Sequence, residues 1–141
     1  MIIKLDDGAF MPSRAFSQDA GLDVFTPIAF TIKAGGSYTV DTGVHINLPR
    51  GSYGRLESKS GLHVKHDIVC LGGTLDEGYL GSVRVKLYNF GEQDYTFEVG
   101  DKIVQLVILP VLKPSLQEVD DEEWGKLSSD RGEGGFGSTG R

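Results

Sequence analysis

Cysteine is almost absent from this 141-residue chain: Cys70 stands alone, which excludes a disulfide framework within the chain and fits a reducing compartment. Long apolar runs are missing too. The longest, residues 103–112, is interrupted by Gln105 and Pro110 and falls short of the roughly 20 residues a bilayer span needs. Cations are outnumbered, 14 Lys and Arg against 20 Asp and Glu, for a net charge of −6. A general binder of duplex nucleic acid wants a basic stripe, and none is visible. Any polyanionic ligand is therefore small and met by a few placed cations. The opening Met1-Ile2-Ile3-Lys4-Leu5-Asp6-Asp7 lacks the basic flank and apolar stretch of a signal peptide. The expectation is a soluble, cytoplasmic protein with no membrane or nucleic-acid partner.

What is present is a balanced composition, 39% hydrophobic and 24% charged, which excludes a disordered or collagen-like chain. The length suits one domain, able to bury roughly 70% of its unfolded surface without disulfides or metal. Twenty glycines, about twice the usual share, cluster at turns and in the tail. Val44, Ile46 and Leu48 alternate with polar or turn residues, as do Val83, Val85 and Leu87, and Tyr95, Phe97 and Val99. Residues 2–5 and 103–111 read as strands buried on both faces. Turn signals follow at Gly35-Gly36, Pro49-Arg50-Gly51, Gly72-Gly73, Phe90-Gly91 and Gly100-Asp101. The pattern predicts an all-β sandwich or barrel with one short helix over residues 60–66, which Ser60 caps. Glu118 and Asp120 to Glu123 read as a solvated acidic turn.

Residues 128–141 hold little apolar content beyond Phe136, and five of the last ten are glycine. Such a segment cannot offset its own ordering entropy. It is a frayed tail or an arm that orders on a ligand. Gly132-x-Gly134-x-x-Gly137 matches a dinucleotide fingerprint only as a string, because no strand precedes it and too few residues follow for a helix. His63, His66 and Cys70 lack a further ligand of suitable spacing for a metal site. Asp76, after Gly72-Gly73 and before Tyr79, is a turn residue or a catalytic base. Ser58-Lys59-Ser60-Gly61 offers hydroxyls, an ammonium and backbone N–H groups that suit a phosphate, or is a plain polar turn.

Taken together, five segments in order resemble the homotrimeric dUTPase family over nearly the whole chain. They are Ala20-Gly21-Leu22-Asp23-Val24; Tyr53-Gly54-Arg55 with Ser58-Lys59-Ser60-Gly61-Leu62; and Gly73-Thr74-Leu75-Asp76-Glu77-Gly78-Tyr79-Leu80-Gly81. Gly100-Asp101-Lys102-Ile103-Val104-Gln105-Leu106 and Arg131-Gly132-Glu133-Gly134-Gly135-Phe136-Gly137-Ser138-Thr139-Gly140 complete the set. The resemblance implies a jelly-roll or distorted β-barrel of short antiparallel strands, the β-clip form, over residues 1–127. Residues 128–141 would be a flexible arm closing over an active site, and three chains would share their sites. It implies hydrolysis of dUTP to dUMP and pyrophosphate, which limits uracil in DNA and supplies dUMP for dTMP synthesis.

By the same resemblance Asp76 activates the attacking water and Gln105 helps to hold it. Lys59, Ser60, Gly61, Arg131, Ser138 and Thr139 meet phosphate, and Gly73, Leu75, Tyr79 and Phe136 bind deoxyuridine. Mg²⁺ arrives on the triphosphate, and Asp23 touches it through water only. The chain departs from the family pattern at Lys59 and Ser58, usually arginine and proline, and at Gly78 and Leu80, often aspartate and arginine. Lysine keeps the charge at position 59 but loses the planar fork of arginine. Two rivals carry different functions: a dUTP-sensing regulator on the same fold, and a dCTP deaminase, which has another motif at the turn and lacks the Arg–Phe tail.

Overall fold

The structure is a computed structural model that describes residues 1–134; Phe136, Ser138 and Thr139 lie outside the described residues. Short strands dominate: β1 (Ile2–Leu5), β2 (Gly21–Phe25), β3 (Phe30–Ile32), β4 (Ser37–Asn47) and β5 (Ser52–Ser58). Helix α1 (Ser60–His66) follows, then β6 (Ile68–Leu71), β7 (Thr74–Leu75), β8 (Ser82–Asn89), β9 (Tyr95–Phe97), β10 (Lys102–Pro110) and α2 (Asp121–Gly125). One sheet has the order β1-β4-β8-β6, a second β2-β10-β5-β7, and β3 pairs with β9. Every strand pair is antiparallel. The result is a jelly-roll-like sandwich, and among the described residues its sheets do not close into a barrel.

One core joins the sheets, with Val40, Val44, Val83, Val85 and Leu87 from the first, Leu22, Val24, Leu56, Val104 and Leu106 from the second, and Phe30, Ile32 and Phe97 from the third. The period-2 pattern of β8 explains its place: Val83, Val85 and Leu87 are buried while Arg84 and Lys86 face water. β10 is less regular. Its pairing with β2 shifts between Lys102 and Val104, so that the consecutive residues Ile103 and Val104 are both buried, as a bulge requires. Four of the five predicted turns hold glycines at positive φ: Gly35, Gly51, the pair Gly72 and Gly73, and Gly100.

Four expectations need correction. β1 is an edge strand paired only with β4, so Ile2 is exposed rather than buried. In β10 burial on both faces holds at Ile103 and Val104, whereas residues 107–109 are only partly covered. Ser60 is the first residue of α1, not its cap: Lys59 takes that position with no side-chain cap bond, and Ser58 Oγ accepts from Cys70 N at 2.8 Å. The acidic cluster forms a second short helix, because Asp120 Oδ1 accepts from Glu123 N at 2.8 Å and three carboxylates sit in its first turn. No helix among the described residues is long and apolar enough to cross a membrane.

Candidate active site

Asp23 and Gln105 face one another across β2 and β10, and Gln105 is opposite Glu57 of β5. Asp23 is held on its other side by a bridge to Ser13, whose N and O both bond the Asp23 backbone, at 3.2 and 2.7 Å. Its carboxylate is thus buried inside the second sheet. Two ammonium groups meet it there: Lys59, from the turn after β5, on Oδ1, and Lys102, from the β10 bulge, on Oδ2 at 2.7 Å. Burial pushes the Asp23 carboxyl up, but the hydrogen bonds from Lys102 and Lys59 outweigh it and hold the group below its ordinary value. Ser60 and Gly61 follow Lys59 directly and are exposed. Motif residues from three parts of the sequence therefore form one cationic corner beside Gln105.

Asp76 stands elsewhere. β7 pairs with the beginning of β5, Leu75 opposite Gly54, and Asp76 is the next residue. Tyr79 N donates to Asp76 O at 3.0 Å and closes the turn. The Asp76 side chain is exposed and has no hydrogen-bond partner among the described residues; it lines an open cleft of about 320 Å³ with Tyr53, Thr74, Glu77 and Lys113. Glu77 Oε2 accepts from Gly51 N at 3.0 Å and Lys113 Nζ at 2.6 Å, which lower its pKa in the order Lys113, then Gly51.

The limbs of this turn are built tightly. Gly73 lies at φ +112°, gives its carbonyl to Leu56 N at 2.8 Å, and has no room for a Cβ, which would come 2.8 Å from Leu56 O. Leu75 packs against the core. Tyr79 folds back over its own loop, with Oη donating to Ser82 O at 2.9 Å and the ring lying on Gly81.

The predicted site residues thus fall into two groups. Along β5, Gln105 is level with Glu57 while Asp76 is beyond the Gly54 level, and two strand spacings separate them laterally. At about 3.3 Å per residue and 4.8 Å per strand, they stand roughly 15 Å apart, with Asp23 roughly 5 Å further. Arg131 is in neither group; its Nε donates to Gly134 O at 2.7 Å within a turn after α2. Phe136, Ser138 and Thr139 are outside the described residues. Two cations were missed as site residues, Lys102 and Lys113. For Lys102 the signal was present: adjacent Ile103 and Val104 break the alternation of β10 and mark a bulge that re-aims the residue before them. Nothing local to Lys113 marks it.

The dUTPase family model matches residues 7–140. A deoxyuridine 5′-triphosphate nucleotidohydrolase of Clostridium acetobutylicum is 46% identical, with 99% of this chain and 94% of that protein covered. One from Crocosphaera subtropica is 41% identical, with 99% and 96% covered. Among solved structures, Staphylococcus bacteriophage 80alpha dUTPase with dUPNHPP superposes with a TM-score of 0.91 at 30% identity, covering 99% of this chain and 98% of that one. A dUTPase from phage phi11 of S. aureus, described with a structural Mg(II) ion, gives a TM-score of 0.79 at 27% identity, covering 86% and 97%. With the motifs in order, the turn and cationic corner built from them, and relatives matching over nearly their full length, the chain belongs to the dUTPase family, the enzymes that hydrolyse dUTP.

Proposed function

We propose that the chain hydrolyses dUTP to dUMP and pyrophosphate by in-line attack of water on the α-phosphorus, in sites completed by a second and a third copy of itself. The observation that carries the shared site is the separation of roughly 15 Å between Asp76 and Gln105 on either side of β5. One water cannot hydrogen-bond to both at that distance. A neighbouring copy supplies the missing half, and a closed homotrimer repeats the arrangement three times.

In this reading Asp76 takes the proton from the attacking water, and its lack of a side-chain partner leaves both carboxylate oxygens available. Gln105 orients the same water, since an amide accepts and donates at once. The turn from Leu71 to Tyr79 presents backbone groups, those of Gly73 and Leu75 among them, to the uracil, and the Tyr79 ring lies under the sugar, where a 2′-hydroxyl would collide. Lys59 and the Ser60-Gly61 backbone bind phosphate. Residues 128–141 serve as the arm: Arg131, Ser138 and Thr139 hold phosphate and Phe136 stacks on the base, excluding bulk water from the reacting centre. Positioning and neutralisation of charge carry most of the acceleration.

No group of three or more His, Cys, Asp or Glu among the described residues could hold a metal ion. Asp23, with both oxygens engaged by lysines, suits an ion that comes with its own triphosphate and water ligands and is touched through water. Bound there, Mg²⁺ would neutralise triphosphate oxygens. The reaction belongs in the cytoplasm, or in the cytoplasm or nucleus of a host cell if the source is viral.

Pyrophosphate release from dUTP with Mg²⁺, beside dCTP, dTTP and UTP, tests the reaction; Asp76→Asn should abolish it while retaining dUTP binding. Co-refolding Asp76→Asn with Gln105→Leu tests the shared site. Two inactive variants should together recover about a quarter of wild-type activity, because random mixing assembles that fraction of sites from intact halves. No recovery would place both residues in one chain's site.

A further inference from the structure

Beside the Asp76 turn, β4 and β8 pair in register as far as Asp41↔Arg84 and again at His45↔Ser82, with an irregularity between. Thr42, Gly43 and Val44 there stand against the single residue Val83. Gly43 absorbs the excess at φ +66°, while Thr42 Oγ1 donates to Val83 O at 2.8 Å and accepts from Val44 N at 3.2 Å. Asp6 N donates to Gly43 O at 2.9 Å, which brings the end of β1 to the same place. Bulges re-aim side chains. This one sets His45 between two acceptors: Nδ1 is 2.9 Å from Leu80 O, and Nε2 is 3.0 Å from Asp6 Oδ2. Leu80 follows Tyr79 in the return limb of the turn.

A carbonyl and an ionised carboxylate only accept. A neutral imidazole has one N–H, so one of the two contacts would set a nitrogen lone pair against an oxygen lone pair. Only the doubly protonated ring satisfies both. We propose that His45 is a positioning residue that, as an imidazolium, ties the return limb of the deoxyuridine-binding turn to Asp6, and loosens that tie by giving up one of its two bonds on losing its proton.

The surroundings agree. From β1, Lys4 is the cross-strand neighbour of His45 and puts Nζ 2.9 Å from Asp6 Oδ1, so Asp6 serves both cations. From β8, uncharged Ser82 is opposite, and the Asp41–Arg84 pair lies beyond. The Leu80 carbonyl first, and Asp6 second, raise the imidazole above its ordinary value, against burial and Lys4. A group raised in the folded state contributes fully below its unfolded value, near 6.5, and loses that contribution as pH rises through the folded one. Above that point the neutral ring keeps one of its two bonds, and the limb is otherwise held by Tyr79 N to Asp76 O, Tyr79 Oη to Ser82 O and Ser82 Oγ to Asp41.

The inference rests on deoxyuridine binding at this turn, and the test reads the two separately. Long-range ¹H–¹⁵N spectra of the full chain with labelled histidine, from pH 5.5 to 9, report the protonation of each His45 nitrogen. Calorimetric titration with dUMP over the same range reports affinity, for wild type and for His45→Gln. Both nitrogens should carry protons at pH 6.5. The dUMP affinity of the wild type should fall about 3- to 10-fold as they titrate, the worth of one lost hydrogen bond, with no such inflection in His45→Gln. A neutral His45 at pH 6.5, or dUMP affinity that stays flat while His45 titrates, overturns the inference. Should His45→Gln fail to fold, Asp6→Asn replaces it and should move both inflections to lower pH together; inflections that part company overturn it as well. Pyrophosphate release from dUTP, followed independently, decides the reaction itself.

Discussion

Gly81→Ala offers a way to disturb Tyr79 without disturbing the sheets. Gly81 is not at positive φ, so alanine suits the backbone there. A Cβ would nevertheless meet the Tyr79 ring, 2.5 Å from Oη and 2.6 Å from Cζ. These atoms are the far end of a half-exposed side chain, which yields more easily than backbone does. The ring must swing away, and its Oη–Ser82 O bond of 2.9 Å goes with it. The stability cost is that of one hydrogen bond, about 0.5–1.5 kcal/mol, or a Tm lower by roughly 2–5 °C. The functional cost differs in kind. A packed wall that rejects an added hydroxyl is worth up to about 10²-fold. Removing it should narrow the dUTP-over-UTP ratio of kcat/KM by roughly 10- to 100-fold, mainly by admitting UTP. Steady-state pyrophosphate release on both nucleotides, with a thermal melt, reads the two effects apart. An unchanged ratio together with the small Tm loss would refute the assignment of Tyr79 as the ribose filter.

Gly73→Ala should cost at least about 2 kcal/mol and lower Tm by roughly 6–8 °C in a thermal melt, because φ +112° strains any side chain and its Cβ meets the Leu56 carbonyl. Cys70 is half-buried, and desolvation, with the Glu57 charge adding, pushes its thiol up to about 11. Alkylation at pH 8 should therefore run on the order of 10²-fold slower in the folded protein than in urea, by thiolate fraction alone. Asp23 has its folded pKa lowered from 3.8, so its contribution to stability is present above that value and lost as pH falls below it. Urea unfolding at pH 6 and pH 3 should show a smaller acid loss for Asp23→Asn, which at pH 6 should itself be about 1–3 kcal/mol less stable for want of the Lys59 and Lys102 bonds.

Local chemistry and long-range pairing were not equally legible in the sequence. Strand alternation at Val83, Val85 and Leu87 and glycines at Gly72 and Gly73 follow from side-chain period and φ alone, and the structure has them where residue type puts them. β1 is as apolar as a central strand, and only its pairing makes it an edge; pairing is a tertiary fact that no local pattern carries. The same holds for Ser60, a good capping residue by type, which lost that role because the chain enters α1 one residue earlier than its chemistry prefers. The candidate site divides along this line. Asp23, Gln105, Lys59 and Asp76 were each readable as members of motifs, but the motif order does not say which of them meet. The register does: it brings Asp23 to Gln105 and leaves Asp76 at the other end of β5. In a sheet, distance is counted in residues along strands and in strands across, so two residues four positions and two strands apart cannot share a water however the side chains turn. Assembly of copies is then what the proposed reaction requires, as the condition under which Asp76 has a partner to act with.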